Sequence, residues 1–311
     1  MTEMITGAQY ALAAGPYRAV VTESGASLRA LTLLADGGLA DGGDERPLVL
    51  THGADEPAPA AFGSLLIPWP NRVDRGRYRY AGKPYQLDLS EPENDCAIHG
   101  LVRWAPWTLA EREPHRVRLA HRLLASGGYP FRLDLEAEYV LDAEAGLTVR
   151  LSAHNPGNVT APYGHGAHPY LTVGVPIDRC TVTLDAARYL PVDGRMIPSG
   201  PAKDVAGTRR DLRAGPALGD RKIDNAYTDL GRDADGRCWT TLSGGGRSVR
   251  LWSDEAHPWM EIYTADAAPE PRAGLGVEPM TCPPNAFASG EGVIDLEPGA
   301  TFRGSWGIMA G

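Results

Sequence analysis

The feature that most narrows the fold is a two-residue alternation of apolar and polar side chains. It recurs along most of the chain and is broken each time by turn residues. Tyr17 to Thr22 and Ser27 to Leu34 alternate in this way around the turn Glu23-Ser24-Gly25. Tyr78 to Tyr80 and Tyr85 to Leu89 flank Ala81-Gly82-Lys83 and read as a hairpin. Arg116 to Leu124 and Arg132 to Leu141 form another pair, joined through Gly127-Gly128-Tyr129-Pro130, and Leu147 to Leu151 follows Gly146 as a further strand. Trp239 to Leu242 and Val249 to Trp252 flank three glycines, and Val293 to Leu296 and Thr301 to Met309 flank Glu297-Pro298-Gly299. Successive side chains of a strand point to opposite faces, so this period specifies strands with one buried face. The 37 glycines and 26 prolines among 311 residues supply the turns. No segment of helical length carries a 3.6-residue period. The expectation is an all-β, mostly antiparallel fold. Ala202 to Leu218 and Gly37 to Pro59 are expected to be long loops. With no repeat and no linker, residues 1–311 are expected to form one large β-sandwich domain.

Charge removes several classes of function. Thirty Lys and Arg stand against 39 Asp and Glu, a net charge of −9, so the chain lacks the basic footprint of a nucleic-acid binder. No apolar run approaches the ~18–20 residues of a membrane span. Met1 to Pro16 has no basic n-region, which points to a cytoplasmic protein. Cys96, Cys180, Cys238 and Cys282 are scattered, with no C-x-x-C pair. They read as reduced packing residues rather than a disulfide framework or a zinc site.

Chemistry is expected where the strand pattern fails. After Pro68-Trp69-Pro70 stand Asn71 and Arg72, whose guanidinium fork suits an oxygen-rich ligand or simply follows a turn into solvent. His99 precedes Gly100 in a segment with no second ligand pair for a metal. In Tyr163-Gly-His165-Gly-Ala-His168-Pro-Tyr170, an offset of three puts the two histidines on opposite faces of an extended chain. The flanking Gly and Pro disfavour the helix that would bring them together. One of them can therefore face a cleft, where histidine is well suited to donate a proton near neutral pH. Asp224 either caps a turn or accepts hydrogen bonds from ligand hydroxyls. Glu278 lies in a run with almost no other charge, where desolvation would raise its pKa toward that of a working base. The prolines around it argue against a regular strand continuing there.

The ordered set Asn71-Arg72, His99-Gly100, His168-Pro169-Tyr170, Asp224 and Glu278-Pro279-Met280 resembles the aldose 1-epimerase (mutarotase) family. The hairpin from Asn71 to Leu87 leading to His99 is its most specific part, and the likeness runs from about Tyr17 to the C-terminus. It implies a galactose-mutarotase-like supersandwich with an open carbohydrate cleft. It also implies Glu278 as general base, His168 as general acid, His99 as a second histidine near the ring oxygen, and Asn71, Arg72 and Asp224 on substrate hydroxyls. Glu261 stands where the family often has Gln, an extra carboxylate near the sugar. Asp224-Asn225 stands where the family has Asp-His, and Ala167-His168-Pro169-Tyr170-Leu171 differs from the galactose mutarotases. These departures bear on the sugar more than on the reaction.

The implied reaction interconverts the anomers of a free aldose such as glucose or galactose. A base takes the O1 proton, an acid protonates the ring oxygen, and the open chain rotates and recloses. Nothing is oxidised, so no cofactor is expected; the expected partner is a monosaccharide, and the protein a monomer or homodimer. Trp69 or Trp259 reads as a stacking platform or as core. Three other functions compete. A glycosidase would pair Glu278 with Glu261 or Asp224 at ~5–10 Å. A carbohydrate-binding protein would keep the contacts without turnover. A hexose-phosphate epimerase would need a basic cluster.

Overall fold

The computed structural model describes residues 4–34 and 45–311. It is nearly all β and antiparallel. One eight-stranded sheet is ordered Thr108–Glu113, Arg116–Leu123, Leu133–Asp142, Gly146–His154, Thr301–Ala310, Arg247–Ser253, Cys238–Gly244 and Thr181–Leu184. A second is ordered Lys203–Asp204, Ala186–Tyr189, Asp224–Leu230, Trp259–Tyr263, Leu275–Met280, Gly166–Ala167 and Leu65–Leu66, with Tyr170–Leu171 also paired to Leu275–Met280. A four-stranded sheet, Gln9–Ala14, Tyr17–Thr22, Leu28–Leu34 and Glu45–Pro47, completes the larger layers.

The alternation has its expected cause. Along Leu133–Asp142 every second residue is buried, and these inward residues (Leu135, Ala137, Tyr139, Leu141) join one core cluster. The same cluster includes Leu12 from the four-stranded sheet and Met260, Ile262, Leu275 and Val277 from the second eight-stranded sheet. Among the described residues no helix is long and apolar enough to cross a membrane. The four cysteines are buried and free.

Three expectations need correction. The segment carrying Glu278 is a regular strand, Leu275–Met280, although Pro279 lies within it and prolines follow. It is central and every residue in it is buried, so it shows no alternation and reads as irregular in sequence. Pro279 fits because it costs the ladder only one donor. Asp224 likewise opens a strand, Asp224–Leu230, rather than capping a turn. Within the two expected loops, Lys203–Asp204 and Glu45–Pro47 pair as short strands; residues 37–44 lie outside the described residues.

Candidate active site

The site is built on one face of the second eight-stranded sheet. Gly166 pairs with Met280 and Tyr170 with Gly276, so the antiparallel register carried through the intervening His168-Pro169 sets His168 opposite Glu278. On the other side of that strand, Glu278 pairs with Glu261 and Gly276 with Tyr263, and Tyr263 in turn pairs with Asp224. Paired residues and their i±2 neighbours share a sheet face. Two adjacent rows therefore cross the sheet: His168, Glu278, Glu261, and Tyr170, Gly276, Tyr263, Asp224. The alternate residues Val277 and Ile262 point the other way, into the core. Glycine at 276 keeps the second row passable, since a Cβ there would sit 3.1 Å from that of Tyr263.

His168 needs no strand to hold it. Its N–H donates to the Ser64 carbonyl at 3.0 Å and its carbonyl accepts from Gly63 N–H at 2.9 Å. The next carbonyl, of Pro169, accepts from Val277 N–H at 3.1 Å. The imidazole stacks on Tyr170, with ring centroids 4.8 Å apart. His168 Nε2 and Glu278 Oε1 lie 3.1 Å apart. His99 packs edge-on against His168 at 5.2 Å between centroids. Glu278 Oε2, His168 Nδ1 and His99 Nδ1 are buried with no hydrogen-bond partner among the described residues.

Asn71 and His99 are presented from two left-handed turns, with φ of +52° and +63°. Asparagine tolerates this conformation better than most residues. Here Asn71 Oδ1 accepts from Arg72 N–H at 2.8 Å, and its carbonyl accepts from His99 N–H at 3.0 Å. Gly100 follows with φ +71°, and a Cβ there would lie 2.0 Å from the Ile67 carbonyl oxygen. Behind both turns, Asn285 clamps the strand Arg72–Asp74. Its N–H donates to the Arg72 carbonyl at 2.7 Å and its Oδ1 accepts from Asp74 N–H at 2.9 Å.

These elements enclose a cleft of about 580 Å³ whose wall includes Asn71, Arg72, His99, His168, Asp224 and Glu278. Six of the seven residues singled out in the sequence thus line one cavity. The seventh, Glu261, lies beneath the wall. It is 2% exposed, accepts from Asn71 Nδ2 at 3.4 Å and is hydrogen-bonded to Asp224. Its strand partner Glu278 occupies the position next to the cavity, so Glu261 meets a ligand only through Asn71 and Asp224. Trp69 and Trp259 do not line the cleft. Trp69 packs on Phe287 in the core, and Trp259 packs with Leu190 and Met280 in a smaller cluster.

Other cleft residues had no role in the sequence-based expectation, among them Glu91, Arg103, Trp104, Tyr170 and Tyr263. Glu91 matters most, because it holds the Arg72 guanidinium in a fork, with Nε–Oε2 and Nη2–Oε1 both at 2.7 Å. Arg72 therefore meets a ligand with its remaining donors, its orientation already fixed. The glutamates of Ser90-Glu-Pro-Glu-Asn lie at the start of and within a short 3-10 helix, Pro92–Asn94, and nothing in their spacing marks one as a partner. Tyr170 and Tyr263 stood inside the motifs already noted, two residues beyond His168 and Glu261, so the period-2 rule applied outward from those two could have found them.

The electrostatics follow from burial. Glu278 and Glu261 are pushed well above the usual carboxyl range, first by desolvation and then by the charge of Asp224, with Arg72 opposing. Asp224 is raised by burial against the pull of Arg72. Burial pulls His168 down to about 3 and His99 well below its ordinary value, and Arg103 and Arg72 add to both. A proton shared across the His168–Glu278 contact therefore rests on the carboxyl side in the free cleft. Burial thus drives each group toward its neutral form, a carboxyl donor beside an imidazole acceptor.

The two histidines of the H-x-x-H run separate as expected. His165 turns from the cleft into a buried relay, 2.8 Å from Tyr163 Oη and 3.0 Å from His257 Nε2, which in turn reaches Asp254 through Nδ1 at 2.8 Å.

Residues 9–308 match the family model described as aldose 1-epimerase. The chain belongs to the aldose 1-epimerase family. Its relatives include the uncharacterized protein YihR of Escherichia coli K12, 36% identical over 301 residues, which are 96% of this chain and 92% of YihR. Human galactose mutarotase is 31% identical over 173 residues, 51% of this chain and 47% of the mutarotase, so that match spans about half of either protein. A GalM/aldose epimerase homologue from C. elegans superimposes with a TM-score of 0.86 at 17% identity, covering 98% of both chains, a likeness of fold. The fold is that of the galactose mutarotases.

Proposed function

We propose that this aldose 1-epimerase family member interconverts the α and β anomers of a free aldose, with Glu278 and His168 as its acid–base pair. The observation that carries this reading is the 3.1 Å contact between His168 Nε2 and Glu278 Oε1 in a cleft where Glu278 Oε2 has no partner among the described residues. The two oxygens that exchange protons in anomerisation, O1 and the ring oxygen, are bonded to the same carbon. An acid and a base in mutual contact match that separation.

The proton account closes within the pair. Glu278 as carboxylate accepts the O1 proton while His168 as imidazolium gives its proton to the ring oxygen. The bond from C1 to the ring oxygen breaks and C1 becomes a carbonyl. Rotation about C1–C2 presents the other carbonyl face, and the ring hydroxyl adds back as both protons return. The pair ends with the one proton it began with. The sugar's own O1–H, placed against Glu278, favours the tautomer in which the mobile proton sits on His168. General acid–base groups of this kind each contribute about 10²–10⁴-fold. His99 places a second ring nitrogen beside the ring oxygen, and Asn71, Arg72 and Asp224 hold the hydroxyls.

A glycosidase would set Glu261 or Asp224 against Glu278; Glu261 does not line the cleft, whereas Asp224 does, so release of sugar from an aryl glycoside is assayed beside anomer exchange. A hexose-phosphate epimerase needs a basic cluster; of the two arginines in the wall, Arg72 already has its fork taken by Glu91. We also read residues 1–311 as one domain, because a single buried cluster draws on all three larger sheets. The buried free cysteines support a cytoplasmic location. The testing experiment is anomer exchange. Pure α-anomers of glucose, galactose, other aldoses and a hexose 6-phosphate are followed to equilibrium by polarimetry or NMR. Acceleration of a free aldose supports the proposal; acceleration of the phosphate alone, or of none, contradicts it.

A further inference from the structure

The relay from Tyr163 through His165 and His257 to Asp254 lines no part of the cleft and holds no proton of the proposed reaction. His165 and His257 are fully buried, where polar groups are kept by finding partners. Burial holds His165 well below the ordinary histidine value, so its ring is neutral. With both rings neutral, every member has one role. Asp254 accepts from His257 Nδ1–H, His257 Nε2 accepts from His165 Nε2–H, and Tyr163 O–H donates to His165 Nδ1. Asp254 is anchored in turn to the first eight-stranded sheet. Its N–H donates to the Ser305 carbonyl at 3.0 Å, and its Oδ2 accepts from Ser305 N–H at 2.6 Å. The neighbouring Gly304 makes room for both rings, since a Cβ there would lie 2.8 Å from His257 Cε1 and 3.0 Å from His165 Nε2. His165 itself stands on the segment of the second sheet that leads to His168, so the relay ties one sheet to the other.

The backbone of His165 is clasped to Thr281. Thr281 N–H donates to the His165 carbonyl at 2.8 Å, and His165 N–H donates to Thr281 Oγ1 at 2.8 Å. His165 with Thr281, Gly166 with Met280 and Tyr170 with Gly276 fall in one antiparallel register, which also sets His168 opposite Glu278. The clasp therefore lies three residues from His168 on one segment and three from Glu278 on the other. We propose that His165 and His257 are positioning residues: the relay locks the His165–Thr281 clasp, and the clasp keeps His168 Nε2 in contact with Glu278 Oε1. The proposal rests on the reading of that pair as acid and base. Proton transfer needs groups within about 2.6–3.2 Å, and the pair stands at 3.1 Å, near the upper end. A small slip of one segment along the other takes it out of reach, and such misplacement lowers rate. Asn71, Arg72 and Asp224 lie on other elements, so sugar binding should survive the slip.

The test is His257→Leu, which removes the acceptor of His165 Nε2–H, assayed well below its recorded Tm. Its kcat should fall about tenfold or more while KM stays within about threefold. His257→Gln keeps an acceptor for His165 and should recover kcat to within about threefold of wild type. Added to His168→Asn, His257→Leu should lower kcat by less than about twofold, because the group it positions is gone. An unchanged kcat in folded His257→Leu, a loss confined to KM, no recovery in His257→Gln, or the full loss again on top of His168→Asn would overturn the proposal. If His257→Leu fails to fold, Thr281→Val decides; it removes the hydroxyl end of the clasp and should show the same split between kcat and KM. If wild type turns over no aldose, the epimerase reading fails and a crystal structure of the folded variant beside wild type decides. A His168 Nε2 to Glu278 Oε1 distance lengthened beyond about 3.5 Å supports the positioning role. A contact kept as in wild type overturns it.

Discussion

His168 and Glu278 face each other across an interrupted strand pair, Nε2 to Oε1 at 3.1 Å. The register of Gly166 with Met280 and of Tyr170 with Gly276 makes them neighbours, and Pro169 frees His168 from the ladder without moving it out of line.

The first prediction concerns His168 alone. His168→Asn keeps a polar side chain on the same backbone anchors and removes the acid. We expect kcat to fall about 10²–10⁴-fold with KM changed less than about threefold. Steady-state polarimetry checks this; a loss confined to KM would make His168 a binding group only.

The second concerns pH. The active pair holds one proton. A second proton is added only near the depressed pKa of His168, about 3, and the last is lost at the raised pKa of Glu278. The profile of kcat/KM should therefore be flat on the acid side until the protein unfolds, and should fall as pH rises through the Glu278 value. An acid limb centred near 6.5, the ordinary histidine value, would show that a solvated imidazole governs the rate.

Arg72 and Glu91 supply the third. Their fork is largely shielded, at 13% and 11% side-chain exposure. Glu91→Ala releases the guanidinium beside Asp224. We expect KM to rise about tenfold, kcat to change little, and stability to fall by about 1–3 kcal/mol. Denaturant unfolding and kinetics read the two effects; an unchanged KM would mean that the fork does not orient Arg72 for substrate.

The fourth concerns Glu261. Burial raises its pKa in the folded state, so the folded protein binds its proton more tightly than the unfolded chain. That contribution is fully present below the unfolded glutamate pKa, about 4.3, and is lost as pH rises toward the folded value. Glu261→Gln keeps an acceptor for Asn71 and adds a donor for Asp224. Its Tm should match wild type at pH 4 and exceed it at pH 7. A variant less stable than wild type at pH 7 would show that the charge of Glu261 is stabilising.

The hairpins were legible because one face meets the core and the other meets water, and the separation of His165 from His168 because an offset of three reverses the face of an extended chain, although both side chains are buried. The strands that carry the chemistry were not. Leu275–Met280 is enclosed by core on one side and by the cleft floor on the other, so all six residues are buried and Glu278 breaks the apolar run it belongs to. At the opposite extreme, Thr108–Glu113 is an exposed edge strand with no buried face to mark it. Six polar cleft residues, Asn71, Arg72, His99, His168, Asp224 and Glu278, were readable from the resemblance. The ionic partner of Arg72 was not, because Glu91 leads into the short 3-10 helix Pro92–Asn94, whose approach only the folded chain defines. The Trp at the cleft mouth was missed for a related reason. Trp104 lies among turn residues, and the two tryptophans beside the motifs went to packing.

The central claim is that the Glu278–His168 pair opens and recloses a sugar ring, and the most direct test is anomer exchange by wild type beside Glu278→Gln. The variant keeps the shape of the cleft and removes the proton acceptor. We predict that wild type accelerates equilibration of at least one pure α-aldose, that Glu278→Gln loses about 10²–10⁴ of that rate, and that calorimetry finds its sugar affinity within about threefold of wild type. Equal rates in the two proteins would contradict the account.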